Sequence, residues 1–209
     1  MPLPRFQKLD EPRRRSILAA AAQEFGERGF DNASYNRIIE RAGISKGAMY
    51  YYFADKDDLF RTVLDTAMAQ WLANVGFPFE ADDAGSFWAA AEALYARSMR
   101  FLLEDPENGA IALAVMHARV RLENHPALMQ LNEQMREFTA ALVAQGQRLG
   151  AVREDLPADL MVDAALSLMD AGDRYIARHW DEITPEMIQT TAKMMVDLFR
   201  RLGDPKEDR

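Results

Sequence analysis

Apolar residues recur at steps of three and four along nearly the whole chain, and no stretch sustains the period-two alternation of a strand. The breaks carry residues that begin and end helices, such as Asp10 before one helix and Gly29 after it. The pattern predicts an all-α protein of about nine helices. Their expected ranges are about 12–28, two short helices within 34–53, and about 56–75, 87–104, 109–123, 126–150, 157–180 and 185–202.

The two short helices have the pattern of a helix-turn-helix. Ser34 can cap the first helix, Gly43 stands at the turn, where glycine adopts positive φ without steric cost, and Ser45 can cap the second. The second helix is rich in tyrosine and carries a lysine and a glycine, so it suits a DNA groove better than a core. The alternative is an ordinary helical hairpin whose tyrosines pack on a neighbouring element.

A resemblance to a known family extends beyond the turn. The runs AAQEFGERGF at 21–30, AGISKGAMYYYF at 42–53 and ADKDDLF at 54–60 together resemble the N-terminal domain of the tetracycline-repressor (TetR) family of bacterial transcription regulators. The resemblance implies a helix-turn-helix DNA-binding domain at 11–71, which includes the start of the connecting helix. It also implies a ligand-binding and dimerisation domain at 72–205.

The predicted DNA-binding residues lie on and beside the two short helices. Lys46 and Tyr50 point outward in the helical pattern and are expected to reach base edges, while the resemblance places Tyr51 and Lys56 at phosphates. Tyr35 stands where the family usually has an aliphatic residue, which bears on the operator sequence rather than on the family. The full predicted set is Ser34, Tyr35, Ser45, Lys46, Gly47, Ala48, Tyr50, Tyr51 and Lys56.

The charge of the chain is unevenly divided. Its net charge is −8, yet residues 1–60 carry ten basic and nine acidic residues, against fifteen and twenty-four in residues 61–209. The acidity therefore lies away from the proposed DNA face. A basic cluster at the start of the chain is expected to meet phosphates, the alternative being that each charge is merely solvated. The cluster consists of Arg5, Lys8, Arg13, Arg14 and Arg15.

Composition excludes several classes of protein. A hydrophobic content of 49% with 28% charged residues is typical of a soluble globular protein. The chain has no cysteine, and no apolar run approaches the ~20 residues of a membrane span. With no secretory signal pattern, a cytoplasmic protein without a membrane partner is expected. Scattered histidines predict no metal site, and the lack of a Gly-rich nucleotide loop, HExxH or GxSxG predicts neither an enzyme nor a cofactor.

The last two helices carry more apolar surface than one core needs. On the last helix, one row is formed by Ile188, Ala192, Met195, Phe199 and Leu202, and an adjoining row by Met187, Thr191, Met194 and Leu198. The preceding helix adds Leu160, Ala164, Leu168, Ala171 and Tyr175. One row can pack against the core of its own chain while the other packs against a second copy, which predicts a homodimer through these helices. The alternative is a single thick core.

Aromatic and methionine side chains on the middle helices suggest a small-molecule pocket. The candidate ligand-binding residues are Trp88, Tyr95, Met99, Met116, His117 and Tyr175. The alternative is that most of them belong to the core.

The sequence thus predicts a sequence-specific DNA-binding regulator, a repressor released from a roughly palindromic operator by a small-molecule effector. An alternative is a DNA-binding regulator without a small ligand, constitutive or controlled by a protein partner. A helical enzyme with an incidental helix-turn-helix is a third class.

Overall fold

The computed structural model describes residues 4–121 and 125–205, except the side chains of residues 104, 113, 116–121 and 181. The described residues form ten α-helices, one short 3₁₀ turn at Trp180–Glu182 and no strand. The helices are α1 (Pro4–Gln7), α2 (Glu11–Asn32), α3 (Tyr35–Arg41), α4 (Lys46–Tyr52), α5 (Lys56–Val75), α6 (Ala84–Glu104), α7 (Pro106–Arg121), α8 (Pro126–Arg148), α9 (Ala158–Arg178) and α10 (Pro185–Gly203). The all-α prediction is confirmed.

The tenth helix is α1, which the sequence pattern assigned to a basic arm. Four residues are too few for a helix to form on local propensity alone. Its anchor is Phe6, which is buried beside Phe53 at a ring-centroid distance of 4.7 Å. Tertiary packing therefore explains an element that helical periodicity did not reveal.

Local hydrogen bonds set the start and the bend of α2. Asp10 accepts a hydrogen bond from the Arg13 N–H at 2.9 Å, and Pro12 occupies the first turn, where its missing N–H costs nothing. The predicted interruption at Gly29 is confirmed: its φ of 69° and ψ of 166° are not helical, and a short helical turn follows it to Asn32.

The structure divides into two compact units. The first contains residues up to Gln70 together with Leu102–Leu131, and the second contains Trp71–Phe101 together with the residues from Asn132 onward. This division differs from the predicted domains 11–71 and 72–205, because α7 packs along α2. The close approach depends on Gly26, where an added Cβ would lie 2.6 Å from the carbonyl oxygen of Ala110.

The second unit has its own apolar core. Its largest fully buried side chain is Phe87, which lies in a cluster with Val152 and Met161. Polar side chains bind main-chain carbonyls of this unit: Gln145 donates to the carbonyl oxygen of Phe79 in a loop at 2.7 Å, and Arg97 donates to that of Val75 at the end of α5 at 2.8 Å. None of the helices in the described part of the chain combines the length and hydrophobicity that crossing a membrane requires.

Candidate nucleic-acid interface

Helices α3 and α4 form the helix-turn-helix predicted from the sequence. Ser34 caps α3 by accepting from the Arg37 N–H at 3.4 Å, and Ser45 caps α4 by accepting from the Ala48 N–H at 3.1 Å. Between them Gly43 adopts φ 63°, a conformation that costs glycine little. Both predicted caps and the predicted glycine turn are confirmed.

Helix α4 has one buried face and one exposed face. Met49 and the following Phe53 are fully buried, so they anchor the helix to the first unit. Tyr50 and Tyr51 are each 50% exposed, which is unusual for large aromatic side chains with a core nearby. The exposed face consists of Lys46, Gly47, Tyr50 and Tyr51, with Ala48 half-buried at its edge. This face combines an exposed cation with tyrosine hydroxyls, which are groups that can donate hydrogen bonds to phosphates.

Tyr35 supports this face from behind. Its ring meets the ring of Tyr50 edge-on at a centroid distance of 5.3 Å. Its hydroxyl is buried, with no hydrogen-bond partner among the described residues. Burial first, and then the nearby Tyr50 and acidic groups, raise the pKa of Tyr35 well above its usual value. In this arrangement Tyr35 packs against Tyr50, and its own contact with DNA stays a prediction.

Lys56 is engaged within the first unit. Its ammonium donates to the carbonyl oxygens of Phe30 at 2.8 Å and of Asp31 and Ala33 at 3.4 Å, and it lies 4.5 Å from the centroid of the Phe30 ring. An ammonium has three donors, and these three carbonyls occupy them. The cation therefore stabilises the end of α2. Its contact with a phosphate stays a prediction.

A buried carboxylate fixes α3 against α2. The side chain of Glu24 is fully buried, and its Oε1 accepts from the Ser34 N–H at 2.8 Å and from Arg37 Nη2 at 2.7 Å. Arg41 Nη1 approaches Oε2 at 3.6 Å. Burial alone would raise the pKa of Glu24, but the hydrogen bonds from Arg37 and Ser34 and the charges of Arg37 and Arg41 outweigh it and lower that pKa.

Sequence reasoning did not identify this carboxylate. The signal was available, since Glu24 falls seven residues after Ile17 on the row that Ala20 and Ala21 continue, and this row faces the core. A charge on a core-facing row indicates a paired partner, because an unpaired buried charge is costly. The partner lies thirteen residues away on another helix, where helical spacing cannot point to it.

The basic segment at the start of the chain is packed rather than free. Besides Phe53, Phe6 contacts Tyr52, and the centroids of these two rings are 6.2 Å apart. The Arg5 guanidinium lies 4.3 Å from the centroid of the Tyr51 ring. Within the predicted basic cluster, Arg15 forms exposed ion pairs with Asp105 at 3.4 Å and with Glu107 at 3.3 Å.

The described candidate ligand-binding residues have different surroundings. Trp88 packs edge-on against Phe87 at 5.1 Å, and Met99 is buried. Burial, with a smaller contribution from the charge of Asp173, raises the pKa of the Tyr95 hydroxyl. Tyr175 is exposed and lies 4.4 Å from the His179 ring. Met116 and His117 lie on α7, but their side chains are outside the described residues.

A cavity that the sequence did not indicate lies in the first unit. It has a volume of about 540 Å³ and is bounded by α2, the end of α3 and the start of α7. Its lining includes Ser16, Gln23, Arg41, Glu107 and Ala110. Among the described residues, the lining is mostly small, polar or charged and contains no aromatic side chain, in contrast to the aromatic lining that the sequence predicted for a ligand pocket.

The two apolar rows of α10 differ in exposure. Ile188, Ala192 and Met195 are buried within the second unit. In the adjoining row Met194 is 44% exposed and Leu198 is 42% exposed. On α9, Leu160 and Tyr175 are also exposed. One row thus belongs to the home core, and apolar surface remains uncovered on both of the last two helices.

Comparisons with known proteins agree with this architecture. The sequence model of the family described as bacterial regulatory proteins, tetR family, matches residues 17–63. The HTH-type transcriptional repressor AcnR of Corynebacterium diphtheriae is 29% identical over 153 residues, which cover 71% of this chain and 73% of AcnR.

Solved structures extend the agreement along the chain. A TetR family transcriptional regulator from Chloroflexus aurantiacus superposes with a TM-score of 0.69 at 24% identity, over 96% of this chain and 97% of that one. The regulator FadR from Bacillus subtilis, solved in complex with stearoyl-CoA, gives a TM-score of 0.73 at 17% identity, over 88% and 96% of the two chains. Residues 17–63 therefore match the tetR family of bacterial regulatory proteins, and the fold of the chain is that of solved TetR family regulators.

Proposed function

We propose that this protein is a homodimeric transcriptional repressor that binds a roughly palindromic operator in the cytoplasm and leaves it when a small molecule binds. The observation that carries the proposal is the exposed face of α4, where Lys46 and two half-exposed tyrosines stand on a helix held by buried Met49 and Phe53. The similarity to AcnR, which is named a transcriptional repressor, supports the direction of regulation.

The proposed contacts divide by their place on α4. Lys46 and Tyr50 are four residues apart, so they share one row, and this row is expected to read base edges. Tyr51 lies on the neighbouring row, where the wall of the groove presents phosphates. The backbone of the helix-turn-helix is expected to lie close to the duplex at Ser34, Ser45, Gly47 and Ala48. Tyr35 orients Tyr50, and Lys56 holds the end of α2 in place.

The dimer is proposed from the uncovered apolar surface of α9 and α10. A single recognition helix covers only a few base pairs, while two of them about 34 Å apart on one face of the duplex read a palindrome. Leu160, Tyr175, Met194 and Leu198 supply apolar side chains that a second copy of the same helices can cover. The first unit of each protomer would then supply one recognition helix, α4.

Selection from random duplexes, followed by titration at several salt concentrations, tests the DNA-binding part. Purified protein should enrich a sequence with two-fold symmetry. Its affinity should fall with salt, with a log–log slope of about 0.9 for each phosphate neutralised. Failure to enrich any duplex, or binding that is indifferent to salt, would contradict the proposal.

The same substitution at two lysines separates a DNA contact from a structural cation. Lys46→Met is expected to weaken operator binding and change sequence preference by about 1–3 kcal/mol, since Lys46 is exposed and placed toward base edges. Lys56→Met is expected to lower the melting temperature, because three carbonyls at the end of α2 lose their cation.

Differential scanning calorimetry and binding to a panel of operator variants give the two measurements. Both substitutions remove one positive charge and keep an apolar stem, so each variant controls for the other. Equal effects of the two variants on DNA binding, with unchanged melting temperatures, would mean that the two lysines have the same role.

The effector is proposed to bind in the second unit, with Trp88, Tyr95, Met99 and Tyr175 as candidate contacts. Thermal-shift screening of small metabolites tests this proposal, with stearoyl-CoA included because FadR was solved with that ligand. A stabilising compound should also release the operator. If no compound shifts the melting temperature while the protein still binds its operator, regulation by a protein partner or constitutive binding becomes the better account.

A further inference from the structure

We propose that the N-terminal segment of residues 4–9 provides a DNA-backbone contact beside the recognition helix, in which Arg5, stacked on Tyr51, binds a phosphate of each half-site. This inference rests on the operator binding proposed above. It assigns a contact to a segment that precedes the matched region at residues 17–63.

The segment is docked at a fixed place beside α4. The Phe6 side chain is 4% exposed and contacts the rings of Tyr52 and Phe53. At the other end, Arg14 Nη1 donates to the Gln7 carbonyl oxygen at 3.3 Å, which ties α1 to the first turn of α2. A basic segment held at both ends presents its charge at a defined position, so less conformational freedom is lost when it binds.

Tyr51 determines where the Arg5 charge lies. The guanidinium is 4.3 Å from the centroid of the Tyr51 ring, within the range of a cation–π contact. Tyr51 is one position beyond Tyr50, so its row is turned by about 100° from the Lys46–Tyr50 row. A helix whose central row faces the bases turns its neighbouring row toward the sugar-phosphate wall, and a guanidinium there can bind a phosphate with two N–H groups.

The surrounding charges favour an anionic partner. Arg13 and Arg14 lie in the first turns of α2, where the helix dipole disfavours positive side chains. Both Arg5 and Lys8 are exposed. A nearby polyanion would make this concentration of positive charge favourable, and a duplex seated on the exposed face of α4 is such a polyanion.

Ethylation interference and a double-mutant cycle test the contact on the full-length protein. In each half-site, ethylation of one phosphate should block binding of the wild-type protein. Ethylation of the same phosphate should not affect binding of the Arg5→Ala variant. The log–log salt slope of Arg5→Ala should be smaller by about 0.9 for each half-site. Its loss of affinity should be the same for every operator variant, because a phosphate contact carries no sequence information.

Tyr51→Leu and Lys8→Ala provide the controls. If Tyr51 holds Arg5, adding Arg5→Ala to Tyr51→Leu should cost less affinity than Arg5→Ala alone, by about two- to fivefold, as expected for an exposed cation–π contact. Lys8→Ala removes the same charge three residues away and should leave the Arg5-dependent phosphate unchanged. Circular dichroism confirms that each variant is folded.

The possible outcomes are distinct. Equal losses for Arg5→Ala and Lys8→Ala, with no phosphate that depends on Arg5, would show that only total charge matters and would overturn the proposal. Additive effects of Arg5→Ala and Tyr51→Leu would overturn the role of the stack. If the wild-type protein itself selects no DNA, the proposed function fails, and this result is seen before any variant is compared.

Discussion

Glutamate at position 198 is expected to produce folded monomers, whereas glutamate at position 195 is expected to unfold the second unit. Leu198 is 42% exposed, so its replacement places a carboxylate on the outer face of α10, where the partner is proposed to pack. Met195 is 4% exposed, and its Cε lies 2.6 Å from where a Cβ on Gly172 would be. A carboxylate there would be buried without a partner, at a cost of at least several kcal/mol.

Sedimentation velocity and thermal denaturation distinguish the two variants. Leu198→Glu should sediment as a monomer, keep its helical circular dichroism and lose specific operator affinity although the helix-turn-helix is unchanged. Leu198→Ala serves as the control and should retain most of the dimer, because it removes area without adding a charge. A Leu198→Glu protein that stays dimeric with full operator affinity would place the interface elsewhere.

Replacing Glu24 by leucine is expected to lower the free energy of unfolding by roughly 2–4 kcal/mol, as for the loss of a buried, hydrogen-bonded ion pair. The change removes the hydrogen bonds between its Oε1 and Arg37 and leaves the Ser34 N–H without its acceptor, and a buried unsatisfied donor costs about 1–3 kcal/mol by itself. Because Ser34 caps α3, the helix-turn-helix should loosen, and operator affinity should fall as well. Glu27→Leu is the matched control, since Glu27 also pairs with Arg41 but is 41% exposed.

The pH dependence of stability gives an independent check on Glu24. In the folded protein the pKa of Glu24 is lowered from 4.5. Near this pH the folded protein therefore binds fewer protons at Glu24 than the unfolded chain does. The contribution of the carboxylate is therefore complete above its unfolded pKa and is lost as the pH falls through the folded value. Denaturant titrations should show the difference between wild type and Glu24→Gln shrinking below pH 4.5. A constant difference down to strongly acidic pH would contradict the assigned pairing.

The sequence predicted those features of the helix-turn-helix that depend on hydrogen bonds between residues close together in the chain. Ser34 and Ser45 cap their helices within three residues, and Gly43 adopts the positive φ that its place in the motif requires. The all-α class followed from periodicity for the same reason, because the hydrogen bonds of a helix are made within one segment of chain.

Features that depend on distant contacts could not be predicted in this way. Helical spacing identified two apolar rows on α10 but could not show that Met195 is buried in the home core while Leu198 is exposed. The packing contacts of Tyr35 and Lys56 could not be predicted for a similar reason. The Tyr35 ring contacts Tyr50, and the Lys56 ammonium contacts the end of α2. Both contacts depend on how the helices pack.

The contact between Gly26 and Ala110 has a mechanical consequence. Where side chains separate two helices, a small sliding motion can be absorbed by rotation about χ angles. Here an added Cβ would be 2.6 Å from a main-chain oxygen, so backbone lies against backbone and there is no soft layer to compress. A displacement of α7 along this seam must be passed to α2 almost undiminished. Because Glu24 links α3 to that same helix, we expect a displacement of α7 to move α2 and α3 together.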